Sequence, residues 1–359
     1  MRVGIDGRAL RAARAPRGVA VYLEELLREL VRLYPDDEYA LVVPGGARQG
    51  AVPDVVELVE ARLAGGQAMF AAAAVTGRPR LDRMLGGPDL VWMPAPAPVA
   101  FSREARCVLT VHDLSFVHQP SDFSAYERLW HRLARPGKLA RGATRVVTDT
   151  EHVRREVVAE WGIADERVRA VLPGPGRAAE LTARAPEGAR DAFVLAVGAL
   201  EPRKLPMVLV RAHAVARERG LRAPLVFAGE GPLRAEVEAA GARVLGHVPA
   251  DELGAAYGEA LCLACVSREE GFGFTPLEAL AAGVPSVVSE LPVFTETLGD
   301  AALRVPVGDV SALADALLRM EREPGVRAQL VEAGRDRLRA LSWERAARET
   351  RAVFEDALA

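Results

Sequence analysis

The chain has 359 residues, 50% hydrophobic and 26% charged, with a formal net charge of −3. That length points to two domains of an ordinary globular enzyme. The balance of charge excludes a global basic field for nucleic acid, and no apolar run reaches the roughly 18 residues of a membrane span. Three cysteines, Cys107, Cys262 and Cys265, make no disulfide framework.

MRVGIDGRAL lacks the basic flank and apolar core of a signal peptide, so a cytoplasmic protein is expected. RVGID reads as a buried strand. After the turn-rich RALRAARAPRGV, Leu23, Leu26, Leu27, Leu30 and Val31 recur at helical spacing. Gly18 stands near the start of that helix. YALVVP, DVVELV, DLVWMP, CVLTVHD, RVVTDT and RVRAVL read as further strands or strand ends. Residues 45 to 75, rich in Ala and Gly, fit no pattern. CVLTVHD runs into His112 and Asp113, placing both at the carboxyl end of a strand, where open α/β sheets bind ligands. Residues 126 to 145 are strongly basic, with Leu129, Trp130 and Leu133 interspersed. They read as a surface or core helix, with peripheral contact to an anionic membrane face as the alternative.

Pro, Gly and Ala dominate 173 to 190, the expected linker. The domains are therefore drawn as 1–175, a linker at 176–190, and 191–341. FVLAVGA is a strand that leads through LEP to Arg203 and Lys204. In a chain whose basic side chains are otherwise Arg, only Lys138 and Lys204 are Lys. LVFAGEGP and RVLGHVP repeat the strand-then-glycine pattern, and His247 and Val248 follow the second glycine. Cys262 and Cys265 lie in one predicted strand at an odd separation and point to opposite faces, which favours buried thiols over a redox or metal pair. LRVPVGD is a strand, followed by helices from about 310 to 340. A last helix opens at Ser342 with the stripe Trp343, Ala347, Thr350, Phe354 and Leu358. The stripe could complete the first domain or pack on its own.

The stretch 261 to 290, LCLACVSREEGFGFTPLEALAAGVPSVVSE, carries the most chemistry. Two strand-length apolar runs flank a loop and a short helix. Thr275, Pro276 and Glu278 read as a helix start with a Thr cap, and Gly283 and Pro285 as its stop. Gly271 and Gly273 let the backbone approach a ligand closely. The helix N-terminus favours an anion such as a diphosphate. Glu270 and Glu278, eight positions apart, supply carboxylates that accept hydrogen bonds from hydroxyls. A capping Glu278 and a solvated Glu270 is the plainer reading of each residue alone.

The string EGFGFTPLEALAAGVPSVVS resembles the Glu-x7-Glu region of retaining glycosyltransferases of family 4, the group 1 glycosyl transferases, in their mannosyltransferase-like branch. The resemblance implies an α/β GT-B architecture of two Rossmann-like domains facing a central cleft. The donor would bind mainly the second domain and the acceptor the first, completed by the helix at 342–359. It implies transfer of a sugar from a GDP-, UDP- or dTDP-sugar to a hydroxyl, lipid-linked or not, in cell-surface polysaccharide, glycolipid or secondary-metabolite glycosylation. The sugar nucleotide would be a co-substrate, with no cofactor, no metal and no nucleic-acid partner. His112 would face the donor sugar and Glu270 would bind its hydroxyls. Glu278 would take the ribose, and the backbone of Gly271, Phe272, Gly273 and Phe274 the sugar and phosphate. Arg203 and Lys204 would neutralise the diphosphate, Gly18 would lie beside it, and His247 and Val248 would contact the base. The chain departs from the pattern at Ala199, where many relatives carry Arg, at Leu205, and at PGPG in place of an Asn-Gly pair. Another GT-B enzyme, an epimerase or phosphorylase, and a binding protein without transfer activity are the competing readings. No G-x-G-x-x-G follows the first strand, which disfavours a dehydrogenase.

Overall fold

Short apolar strands alternating with helices can pair side by side in parallel, because each connecting helix carries the chain back over the sheet. The computed structural model describes residues 1–11, 18–47, 50–59, 66–177 and 193–359. They form two compact units, Met1–Gly174 with Ser342–Ala359, and Pro175–Leu341. Arg17 and residues 178–190 of the expected linker lie outside the described residues.

The first unit contains β1 (Arg2–Asp6), β2 (Glu38–Val42), β3 (Glu57–Val59), β4 (Leu90–Met93), β5 (Cys107–Val111), β6 (Arg145–Thr148) and β7 (Val168–Ala170). They pair in parallel in the order β3-β2-β1-β4-β5-β6-β7. β4 and β5 are buried along their whole length, which is why they read as continuous apolar runs. Of DVVELV only the last three residues pair. The Val56 N–H bonds back to the Pro53 carbonyl, so a turn takes the rest. The helix Gly18–Leu33 buries Leu23, Leu26, Leu27 and Leu30.

The final helix, Trp343–Leu358, belongs to this unit and packs on the helix Gly18–Leu33 and on β4, β5 and β6. The Ser342 hydroxyl caps it by accepting from the Arg345 N–H. Ala347, Thr350 and Phe354 of its stripe are buried. The Phe354 ring lies 5.7 Å from that of Trp92, and the Trp343 ring 6.1 Å from that of Tyr22. The basic stretch forms two helices, Ala125–Ala134 and Pro136–Gly142. Trp130 packs on the core while Tyr126 and Leu129 are exposed. A helix at Gly66–Thr76 occupies part of the region that had no pattern. Its side chains are apolar on nearly every face, so no periodicity marked it. No helix among the described residues is long and apolar enough to cross a membrane.

The second unit contains β8 (Phe193–Val197), β9 (Leu225–Ala228), β10 (Arg243–Val244), β11 (Ala260–Cys265), β12 (Ser286–Ser289) and β13 (Ala302–Val305), all parallel, in the order β10-β9-β8-β11-β12-β13. Both sheets thus step outward from their first strand and then restart on its other side. That reversal leaves an opening at the carboxyl ends of β1 and β4, and of β8 and β11, where α/β sheets take their ligands. Cys262 packs with Leu209 and Leu317 on one face of the second sheet, and Cys265 with Tyr257 and Ala279 on the other. Neither thiol is in a disulfide; Cys262 is buried, but Cys265 is only half-buried, contrary to the expectation for it.

Candidate functional site

In the second unit, the opening between β8 and β11 collects most of the residues singled out from the sequence. β8 is followed by Gly198, whose φ of +135° suits glycine. A single 3-10 turn, Pro202–Lys204, follows, and only then the helix Pro206–Glu218. Arg203 and Lys204 therefore precede the helix instead of opening it. Between them and the helix, Leu205 takes a left-handed conformation, φ +47°. That conformation costs a branched side chain about 1–2 kcal/mol. Burial of Leu205 in the core of the unit offsets it. The left-handed residue redirects the chain between the turn and the helix.

Lys204 Nζ forms an ion pair with Glu270 Oε1. Ser267 Oγ donates to the same carboxylate oxygen at 2.6 Å, and the Ser267 N–H is held by Ser289 Oγ at 2.9 Å. Arg203 Nε lies 3.1 Å from Glu201. The Arg203 carbonyl accepts from the Arg268 N–H at 2.9 Å, tying the loop after β8 to the loop after β11. Glu270 is thus enclosed, not solvated: its side chain is 10% exposed. Burial pushes its pKa up, but the charges of Lys204 and Arg203 and the bonds from Lys204 and Ser267 outweigh that and hold it below the usual carboxylate range. Gly198, Ala199, Lys204, Cys265 and Ser267 line a cavity at this point. Burial raises the Cys265 thiol to about 12, and the Glu270 charge adds to the effect, so it stays protonated.

The EGFGF loop corrects the expected helix start. The helix is Phe274–Ala281, capped by Gly273 at φ +88°, with Thr275 and Pro276 inside its first turn. A Cβ on Gly273 would fall 2.5 Å from Phe294 Cε1, so both conformation and space require glycine there. That glycine turns the chain directly into the helix, and Thr275 has no capping role. Glu278 does not reach back to a cap either. It accepts from the Arg177 N–H at 3.3 Å and from the Tyr257 hydroxyl at 3.3 Å. Gly271 and Phe272 are buried, Gly273 and Phe274 half-buried, and the two phenyl rings meet edge to face at 5.1 Å. Past β10, Gly246 bridges to Gly229; His247 is exposed and Val248 half-buried.

The other candidates lie in the first unit. Gly18 is exposed at the first position of its helix. His112, Asp149 and Pro94 stand just past the ends of β5, β6 and β4. His112 Nδ1 is 2.7 Å from Asp149 Oδ2, and Nε2 is 2.8 Å from the Pro94 carbonyl oxygen. A carbonyl only accepts, so Nε2 carries a proton, and Nδ1 shares a hydrogen bond with the Asp149 carboxyl. Burial works against the imidazolium, but the charge and hydrogen bond of Asp149, the charge of Asp113 and the Pro94 carbonyl raise the His112 pKa. Burial raises that of Asp149. Asp149, Ser267, Tyr257 and Arg177 escaped the sequence reading. Ser267 stood three residues before Glu270, the one signal available; the other three carry none.

Two α/β sheets, each with an opening at its strand switch, and a lysine–carboxylate pair beside a glycine-rich loop in the second, define a doubly wound α/β protein of the kind that takes ligands at the carboxyl ends of its strands. Residues 179–337 match the family model of Glycosyl transferases group 1, and residues 16–174 that of Glycosyltransferase Family 4. Together these matches reach across both units, and the chain belongs to the family 4 glycosyltransferases of GT-B fold. It is 32% identical to a D-inositol 3-phosphate glycosyltransferase of Kribbella flavida over 63% of this chain and 59% of that one. It is 27% identical to O-antigen chain mannosyltransferase B of Escherichia coli over 69% and 70% of the two. The first of these matches spans less than two thirds of the relative's length. Anabaena HepE, solved with UDP and glucose, superposes with a TM-score of 0.68 at 15% identity over 99% of each chain.

Proposed function

We propose that the protein is a retaining glycosyltransferase that moves a sugar from a nucleoside-diphosphate sugar to a hydroxyl acceptor. The observation that carries this reading is the Lys204–Glu270 pair at the β8–β11 opening, beside the EGFGF loop and eight residues before Glu278. The names of relatives support a sugar donor, since they are an inositol-phosphate glycosyltransferase and a mannosyltransferase. UDP is the nucleotide named with HepE.

On this reading a diphosphate displaces Glu270 from Lys204. Lys204 exchanges one anion for another, and the freed carboxylate accepts bonds from hydroxyls of the donor sugar. Arg203 adds a second cation, and Glu278 takes the ribose hydroxyls. The bond between the sugar's anomeric carbon and the phosphate oxygen breaks with its electron pair going to the diphosphate. Lys204, Arg203 and the backbone of Gly271 to Phe274 stabilise that charge as it develops. The acceptor oxygen bonds to the anomeric carbon on the same face, and its proton passes to the departing phosphate oxygen. No dedicated base is needed. His112, whose ring nitrogens are both engaged, does not serve as a free base. The acceptor class, lipid-linked or otherwise, and any peripheral contact of the basic helices with a membrane belong to the same proposal.

A thermal-shift screen across UDP-, GDP-, dTDP- and ADP-sugars tests the donor, because a ligand that binds the native state stabilises it. Incubation of the best donor with candidate acceptors, with the anomeric configuration read by NMR, tests transfer and retention. Binding without transfer or hydrolysis would favour a nucleotide-sugar-binding protein, a reading that Ala199 in the cavity wall supports.

A further inference from the structure

Tyr257 sits in the helix Ala250–Glu259 and is completely buried. Its ring packs among Leu195, Leu263, Ala279 and Val284 on one face of the second sheet. A phenylalanine would satisfy that packing. A buried hydroxyl, by contrast, costs free energy unless it is hydrogen-bonded. This hydroxyl donates to Glu278 Oε2 at 3.3 Å, while the Arg177 N–H donates to Oε1 at 3.3 Å. Each oxygen of Glu278 is thus addressed by a different donor, one from the helix and one from the first residues of the second unit. Gly176 is pressed against the same carboxylate: a Cβ there would fall 2.5 Å from Oε1. The side chain of Glu278 is therefore held from three sides yet stays partly exposed.

We infer that Tyr257 is a positioning residue for ribose recognition: its hydroxyl fixes the Glu278 carboxylate in the orientation that accepts the sugar hydroxyls of the nucleotide. The inference rests on the role of Glu278 in the proposed function. Each carboxylate oxygen has two lone-pair sites, so the bonds to Tyr257 and Arg177 leave one on each for ribose. Burial holds the Glu278 pKa above the usual carboxylate range, and the Arg177 N–H, the Tyr257 hydroxyl and the Arg177 charge limit that rise, each working toward the acceptor-only form that hydroxyl recognition needs. Tyr257 itself is kept a neutral donor, because burial and the Glu278 charge hold its own ionisation far above the ordinary range.

The test compares UDP and GDP with their 2′,3′-dideoxy counterparts by calorimetry, on the wild type, Tyr257→Phe, Glu278→Gln and the double variant. Tyr257→Phe should weaken the ribonucleotides about three- to tenfold and leave the dideoxy compounds unchanged, with thermal denaturation confirming the fold. In the Glu278→Gln background the second substitution should add no further loss, since both act through one group. Equal weakening of both ligand classes by Tyr257→Phe would reduce the tyrosine to packing, and wild-type binding would make the hydroxyl irrelevant; either overturns the inference. The underlying reading fails differently. If the wild type does not distinguish ribose from dideoxyribose, or Glu278→Gln leaves that preference intact, the role of Glu278 falls and this inference with it.

Discussion

Lys204 and Glu270 are each other's partners, and that pairing sets what their substitution should do. Lys204→Ala leaves Glu270 facing its burial with the Arg203 charge and Ser267 in support, and in the proposed mechanism it removes a cation from the diphosphate. Transfer should fall to near background while circular dichroism stays native. Lys204→Arg should lose most turnover as well, because a planar, longer guanidinium cannot replace a compact ammonium on both anions. Arg introduced at position 199 should recover part of the activity of the Ala variant. Turnover close to wild type in Lys204→Ala would falsify the phosphate role. The two carboxylates should separate cleanly. Glu278→Gln should weaken free nucleotide and sugar nucleotide alike, by about 1.5–3 kcal/mol. Glu270→Gln should spare the free nucleotide and impair the sugar nucleotide, which paired calorimetric titrations would resolve. Glu270 has a folded-state pKa below its ordinary value, so it contributes stability above the ordinary carboxylate range, lost as pH falls through the depressed value. The stability gap between wild type and Glu270→Gln should therefore narrow on acidification below about pH 4.3. His112 has the opposite sign: Asp149→Asn removes the charge that does most to raise its pKa and leaves the Asp113 charge and the Pro94 carbonyl against burial. NMR titration of the imidazole should then move to lower pH.

Among the elements, the loop from Glu270 to Gly273 depends most on one residue. Gly273→Ala must adopt φ +88° and meet the Phe294 ring at 2.5 Å. The left-handed conformation alone costs about 1–2 kcal/mol, and the ring contact adds to it. A lowered melting temperature together with weakened donor binding is expected, because the same glycine starts the helix that carries Glu278. A normal melting temperature would show that the loop adapts and that the glycine matters less than its geometry implies. Much of the loop was legible from EGFGF, since glycines and carboxylates at that spacing are local features. The cap was misread, because Thr-Pro-x-Glu matches a helix start whether or not a left-handed glycine precedes it. The helix at Gly66–Thr76 was invisible for the opposite reason, an apolar run without a period.

The whole molecule divides its chain unequally: the last helix returns to the first unit. Phe354 is fully buried against Trp92, and Arg351 pairs with Asp37 at 2.6 Å. Phe354→Ala should cost about 3–5 kcal/mol, read as unfolding of the first unit at lower denaturant. A melting curve unchanged from wild type would mean that the helix does not support that unit. Catalysis at this scale is proposed to rest on protein cations and a helix N-terminus. Transfer should accordingly survive EDTA, and an obligate requirement for Mn²⁺ or Mg²⁺ would sink that account.

Local pattern alone determined the alternation of strand and helix, the α/β class and the Glu270–Glu278 loop. Each depends on residue type and spacing within a few turns or one strand. Only the tertiary structure decided which distant groups meet. Lys204 and Glu270 are 66 positions apart, and His112 and Asp149 are 37. They meet because β8 lies beside β11 and β5 beside β6. Strand order is set by how helices pack across the sheet, and no spacing rule in the chain encodes it. The same holds for Tyr257, which in sequence is one more aromatic on a helix and in the fold stands against Glu278. The final helix had a clear apolar stripe, but a stripe states that a face must be covered and not by what. Tyr22 and Trp92 in the first unit supplied the answer.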